Sequence, residues 1–333
     1  MYYLMYNEQS KTMYQKFCNF IFSILLFIFT SITAFDVHGF GVTVLTKPIG
    51  FSGTSWFHKG VIGSILRGFD ALQVTYNYNV MNMEQVHEVV WVVTNRNALK
   101  QAIDLKKNGK IKTILAGPNF VVIPSEEPLL KHPMVDAMIV HSQETEDLYA
   151  LDEPALLGRL RSWFVGVDPS FWDPLPCEKS NTVLVYWKSE SESFCSTVEN
   201  ILKEYGWNPI RIKYGSYKLD HYRQLLNKSQ FAVFISKSES QGIALAESWA
   251  MDVPTIVWNP QEWQYKQHKF PLSSCPYLSS STGLVWKSFN DFREILKNIK
   301  IRLPHFSPRM WAIEHMSDKA SAECFLTIVN SIM

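Results

Sequence analysis

After a stretch whose prolines and Asp-Pro steps stop any helix or central strand (163–176, WFVGVDPSFWDPLP), an alternation of strand-like and helix-like segments that fills the preceding residues begins again. Before this joint, 41–46, 73–76, 89–93, 112–116 and 137–140 are short runs of strand type, while 56–69, 97–107 and 143–150 have helical character. After it, 182–187, 209–213 and 231–235 read as strands, and 194–205 and 219–227 as helices. Such alternation predicts a doubly wound parallel sheet, and its restart predicts a second one. The 333 residues, 47 % of them hydrophobic, can bury cores for two domains of ordinary size.

The most informative unit in the second set is 231–258, FAVFISKSESQGIALAESWAMDVPTIVW. A buried strand (231–235) ends in the polar loop 236–241. A helical period starts at Gly242, and 253–258 reads as the next strand, completing a βαβ unit. In such a unit the loop faces a helix N-terminus, where unpaired N–H groups and the helix dipole favour an anion such as phosphate. Glu239 sits in that loop. Glu247 lies five residues into the helix, roughly 7 to 8 Å along its axis, with its side chain leaning back toward the N-terminus. Both acids can border one crevice. Two acids beside an anion-favouring helix end make sense if the ligand also carries hydroxyl groups, as a sugar nucleotide does. The bland alternative is a solvated loop acid and an exposed helix acid.

Ser236, Glu239, Gly242, Ile243 and Glu247 stand where retaining GT-B glycosyltransferases of the large family 4 type carry Ser, two residues, Glu-Gly-Phe-Gly-Leu, three residues and Glu. The segment resembles that E-x7-E region, with Ser240 in place of the family's first Gly and Gln241 in place of its aromatic. Gly166, Val167 and Asp168 match a Gly-Val-Asp common near the domain crossing of such enzymes. The resemblance implies a GT-B fold, two Rossmann-like domains facing a cleft. Its divisions are a leader at 1–36, an acceptor domain at 37–172, a nucleotide-sugar domain at 173–305, and a C-terminal helix at 306–333 packing back on the first domain.

It also implies roles. Glu239 holds the donor sugar's hydroxyls near the reacting carbon, and Glu247 accepts from the ribose hydroxyls. The loop Ser240, Gln241 and Gly242, with the N–H groups of Gly242, Ile243 and Ala244, meets the diphosphate. The family uses an Arg and a Lys just after the first strand of its second domain. Trp187 and Lys188 stand there, so Lys188 is the candidate for the diphosphate, with Lys237 a second cation nearby. In the first domain, Gly53 and Thr54 of the loop 47–55 are placed to close over the diphosphate, Thr54 alternatively being a plain helix cap. His141 follows a predicted strand at its carboxyl end, where such sheets bind ligands. It faces the cleft or is a satisfied structural histidine.

The activity so implied is transfer of a sugar from a UDP-, GDP- or ADP-sugar to a carbohydrate, lipid or protein acceptor with retention. The absence of any Asp-x-Asp agrees with a metal-independent GT-B enzyme, and no cofactor is expected. Alternatives on the same scaffold are a catalytically inactive sugar- or partner-binding protein and a nucleotide-sugar epimerase. Gly39-Phe40-Gly41 precedes its strand and lacks a third Gly, which argues against a dinucleotide fingerprint. The five cysteines show no metal-ligand spacing. A formal charge of +1 without a basic face gives no support for nucleic-acid binding.

Residues 17–35 (FCNFIFSILLFIFTSITAF) carry no charge and follow Lys11 and Lys16. The run is long enough to span a bilayer as a single-pass anchor with the N-terminus in the cytoplasm. A cleaved signal peptide, and so secretion, is the competing reading, and a buried helix a third. The side of the membrane on which the remainder lies stays open.

Overall fold

The computed structural model describes residues 39–46, 58–80, 82–177 and 179–333, and the stretch from Gly41 to Met333 forms one compact unit. The apolar run 17–35 and the loop carrying Gly53 and Thr54 lie outside the described residues. Among the described residues no helix is long and apolar enough to cross a membrane.

Two parallel sheets organise the unit. The first is built from β1 (Val42–Leu45), β2 (Tyr76–Tyr78), β3 (Val89–Val92), β4 (Thr113–Ala116), β5 (Ala137–Val140) and β6 (Leu160–Ser162), in the order β2-β1-β3-β4-β5-β6. Strands β1, β3, β4 and β5 are buried along their whole length, as their unbroken apolar runs require of a sheet covered on both faces. Helices α1 (Gly63–Ala71, entered by a π-helical turn at His58–Ile62), α2 (Arg96–Lys107) and α3 (Gln143–Asp152) connect them. Asn95 and Ser142 cap α2 and α3 by accepting from Ala98 N–H and Thr145 N–H.

The second sheet takes β7 (Thr182–Trp187), β8 (Asn208–Lys213), β9 (Ser229–Ile235), β10 (Thr255–Trp258) and β13 (Gly283–Trp286) in the order β13-β10-β9-β7-β8, all parallel. Helices α4 (Glu192–Glu204), α5 (Leu219–Lys228), α6 (Ile243–Ala250) and α7 (Phe289–Arg302) accompany it. A small antiparallel hairpin, β11 (Trp263–Tyr265) and β12 (His268–Phe270), is set between β10 and β13.

The structure differs from the sequence expectations at several places. The strand expected at 73–76 begins only at Tyr76. Gln73 has φ 56° and Val74 N–H bonds back to Phe69 O, so these residues finish the turn that ends α1. The final helical stretch is two helices, α8 (Pro308–Met316) and α9 (Asp318–Ile332), separated by Ser317 in extended conformation. Residues 259–307, to which the pattern above assigns no element beyond the domain itself, contain β11, β12, β13 and α7.

The break at Ser317 has a use. Ser317 lies beside Val167 in parallel register, Val167 N–H donates to Met316 O, and Asp318 N–H donates to Val167 O. Gly166 is needed there, because a Cβ would stand 2.6 Å from Asp318 Cα. Helix α8 packs on α6 of the second sheet, with Trp311 edge-on to Trp249 at 5.3 Å. Helix α9 packs on α1 of the first, where Arg67 pairs with Asp318 at 2.5 Å and Trp163 donates to Ser321 O. The chain thus crosses back over its own joint. Val167 and Trp172 already belong to the core of the second sheet.

Candidate functional site

In the second sheet the strand order reverses between β7 and β9, and in open α/β sheets the crevice beyond the carboxyl ends at such a point is where ligands bind. Trp187 and Ile235 are partners in register at those ends, and Lys188 N–H donates to Ile235 O. Lys188 therefore emerges beside the loop that follows β9. Its Nζ reaches Glu239 Oε2 at 2.7 Å and lies 4.8 Å from the centre of the Tyr214 ring. The Glu239 side chain is only 15 % exposed, and its N–H donates to Ser273 O at 2.9 Å.

The rest of the loop divides into ligand-facing and structural residues. Ser240 is exposed and lines a cavity with Ser238 and Glu239. Gln241 is different from the expectation that it meets substrate. It is buried, with Oε1 accepting from Val165 N–H and Nε2 donating to Val165 O, both at 2.7 Å. A long amide can satisfy both groups of one buried peptide unit at once, which holds it against the joint and away from the crevice. Lys237 also points elsewhere, its Nζ lying 3.6 Å from Glu262 and 3.9 Å from Glu190.

Gly242 has φ 82°, in the left-handed region, and a Cβ there would stand 2.8 Å from Leu245 Cδ1. It turns the chain into α6, whose N-terminus no side chain caps. The first N–H groups of a helix have no intrahelical partners, so Ile243 and Ala244 begin a first turn able to receive an anion. Glu247 follows on α6. The residue as a whole is half-buried, its carboxyl receives no hydrogen bond from a described residue, and burial pushes its pKa up to about 8. Tyr186 and Tyr217, joined by a 3.2 Å hydroxyl contact, stand within electrostatic reach of Glu239, and Tyr217 also of Glu247. Their phenols are raised in pKa, first by burial.

Across from Glu239, the first sheet contributes His141, Asn119 and Thr145 to the same cavity, which encloses about 220 Å³. His141 is buried, and its pKa is lowered to about 4 by burial, so its ring is neutral at pH 7. Its Nε2 lies 3.2 Å from Asn119 Oδ1, while its Nδ1 is buried and has no hydrogen-bond partner among the described residues. Val121, Val122, Ile139, Leu148, Trp263 and Leu272 give the cavity apolar walls.

The geometry therefore joins Glu239, Ser240 and His141 around one hollow, pairs Lys188 with Glu239 at its side, sets Gly242, Ile243, Ala244 and Glu247 along the neighbouring helix, turns Gln241 into the joint, and leaves Lys237 part-exposed near Glu190 and Glu262. Asn119, Thr145 and Trp263 were not anticipated. Asn119 could have been found from the rule about strand ends, since it follows β4 through Gly117-Pro118. Trp263 had no local signal.

No protein-family model and no curated protein matches this chain. Solved structures do resemble it. The lipopolysaccharide outer core galactosyltransferase WaaB, in its apo form, superposes with a TM-score of 0.54 at 12 % identity, over 88 % of this chain and 100 % of its own. A glycosyltransferase from Rickettsia africae ESF-5 gives 0.55 at 12 % identity, over 89 % and 99 %. Anabaena Alr3699/HepE in complex with UDP gives 0.56 at 8 % identity, over 87 % and 100 %. The fold is GT-B. At these identities the likeness speaks for architecture, and residue roles rest on the site itself.

Proposed function

We propose that the chain is a retaining, metal-independent glycosyltransferase that takes its sugar from a nucleoside-diphosphate sugar. The observation that carries this is the Lys188–Glu239 pair at the switch point of the second sheet, beside the uncapped start of α6 and opposite His141. A diphosphate leaving group develops negative charge as its bond to the sugar breaks. Lys188 and the α6 N–H groups are preorganised to stabilise it, a role filled elsewhere by a divalent cation. The absence of any Asp-x-Asp in the sequence favours this arrangement.

In this reading Glu239 accepts hydrogen bonds from the donor sugar's hydroxyls and Glu247 holds the ribose. Transfer proceeds on one face: the acceptor oxygen bonds to the anomeric carbon, and the bond from that carbon to phosphate oxygen breaks with its electron pair on oxygen. The acceptor's proton passes to that same oxygen. Glu239 positions and stabilises, without a covalent intermediate. HepE, solved with UDP-glucose, shares the fold with a TM-score of 0.53, which supports a nucleotide-sugar donor. The acceptor is a carbohydrate, lipid or protein hydroxyl, and the run 17–35 supports attachment to a membrane.

The test is incubation of the purified full chain with UDP-, GDP- and ADP-sugars while following release of nucleoside diphosphate. Slow hydrolysis of one donor, lost in Glu239→Ala and unaffected by EDTA, is expected. Epimer formation, or donor binding with no chemistry at all, would overturn the transferase reading.

A further inference from the structure

One wall of the cavity comes from a segment outside the E-x7-E unit. After β10 the chain leaves the second sheet, forms the β11–β12 hairpin and returns through Ser273 to Tyr277. The hairpin tip is tied to the first-sheet side, where Lys266 and Tyr265 both bond to Glu126. Trp263 and Phe270 pack against the core of that sheet. The returning limb is held from both sides: Ser273 N–H donates to Glu144 Oε2, Tyr277 Oη donates to His141 O, and Ser273 O accepts from Glu239 N–H. The hairpin therefore belongs to the second half, is anchored on the first, and sets Trp263 in the lining of a cavity shared with groups from both.

Trp263 is partly exposed, stacks on Tyr265 at 6.0 Å and borders the cavity beside Glu239 and Leu272. Its indole N–H makes no hydrogen bond to a described residue, whereas Trp91, Trp163 and Trp187 each donate to a backbone carbonyl. A pyranose has an apolar face of C–H groups and a rim of hydroxyls. An aromatic ring covers such a face, while carboxylate, amide, imidazole and hydroxyl groups read the rim. Glu239, Asn119, His141 and Thr145 supply those four chemistries in the same hollow.

We propose that Trp263 is the platform for a pyranose ring in this cavity and that the hairpin, through Trp263, sets which sugar the chain accepts. This rests on the glycosyl-transfer reading of the same site, yet it is measurable without a nucleotide. The experiment is saturation-transfer NMR on the full chain with methyl α-D-glucopyranoside, galactopyranoside and mannopyranoside, alongside calorimetry with UDP, GDP and ADP. At least one glycoside should take up saturation from the wild type. Trp263→Ala should weaken its binding about tenfold, Trp263→Phe should keep most of it, and binding of the nucleoside diphosphate should be unchanged in both. Equal glycoside binding by wild type and Trp263→Ala would overturn the platform and leave the transferase reading standing. Trp263-dependent glycoside binding with no nucleotide bound would support the platform and remove the donor reading. No glycoside bound by the wild type overturns the platform.

Discussion

Lys188 Nζ and Glu239 Oε2 lie 2.7 Å apart although 51 positions separate the two residues, because each follows one of two neighbouring parallel strands whose ends are in register. The pair places a cation where a diphosphate would sit and a carboxylate where sugar hydroxyls would sit, each holding the other in place. In the proposed function, phosphate oxygens of a donor would approach the same ammonium group, whose three N–H bonds can serve carboxylate and phosphate together.

Loss of either partner should slow donor cleavage by about 10²–10³-fold, the usual cost of one preorganised electrostatic group. Lys188→Ala and Glu239→Gln combined should cost much less than the product of the single losses, because the two side chains touch. Initial rates of nucleoside diphosphate release for the four species check this. Strict multiplicativity would show that the pair does not act together.

Glu247 makes the stability of the protein depend on pH. Burial holds its carboxyl at about 8 in the folded state against an ordinary 4.5. Between these values the folded chain keeps a proton that the unfolded chain releases. The stabilisation from this group is complete below 4.5 and is lost as pH rises through about 8. Glu247→Gln, which is always neutral, should gain in Tm relative to wild type as pH is raised from 5 to 9. A constant Tm difference across that range would contradict the raised pKa.

Gly242→Ala should destabilise the chain by about 1–2 kcal/mol through the left-handed backbone alone, with Leu245 crowding adding to it. Urea unfolding measures this. An unchanged midpoint would mean that the loop adopts another path into α6.

Gln241→Leu leaves the buried N–H and C=O of Val165 without partners. Each such group costs about 1–3 kcal/mol, so the variant should unfold at clearly lower urea concentration. Gln241→Glu keeps both bonds only while its carboxyl is protonated, so it should lose stability as pH rises and its buried carboxyl ionises against Val165 O. If Gln241→Leu binds a nucleoside diphosphate as the wild type does once folded, the residue's place in the joint rather than in the ligand crevice is confirmed in solution.

The local patterns of the chain carried the two sheets and the position of the E-x7-E loop. Unbroken apolar, β-branched runs such as 89–92 and 231–235 read as covered strands, and Gly242 followed by good helix formers reads as a tight turn into a helix, as the structure has them. Such features depend on neighbours within a few residues, so sequence order suffices to read them. Strand order, and with it the approach of Lys188 to Glu239, depended on which distant segments pair, and the sequence supplied only the candidates.

Gln241 and Trp263 show where local reading ends. Gln241 sits in a loop that points toward a ligand, yet its side chain is taken by Val165, a residue of the joint that comes near only when both halves are folded. Trp263 lies in a stretch with no periodicity, and it is set at the cavity by its packing on the first-sheet core and by the anchoring of Lys266 and Tyr265 on Glu126. Secondary structure and the identity of the acids were determined by short-range preferences of the chain. The division of each loop into structural and ligand-facing side chains was decided by long-range contacts, because a buried hydrogen bond to a distant backbone outweighs whatever direction the local turn would give a side chain.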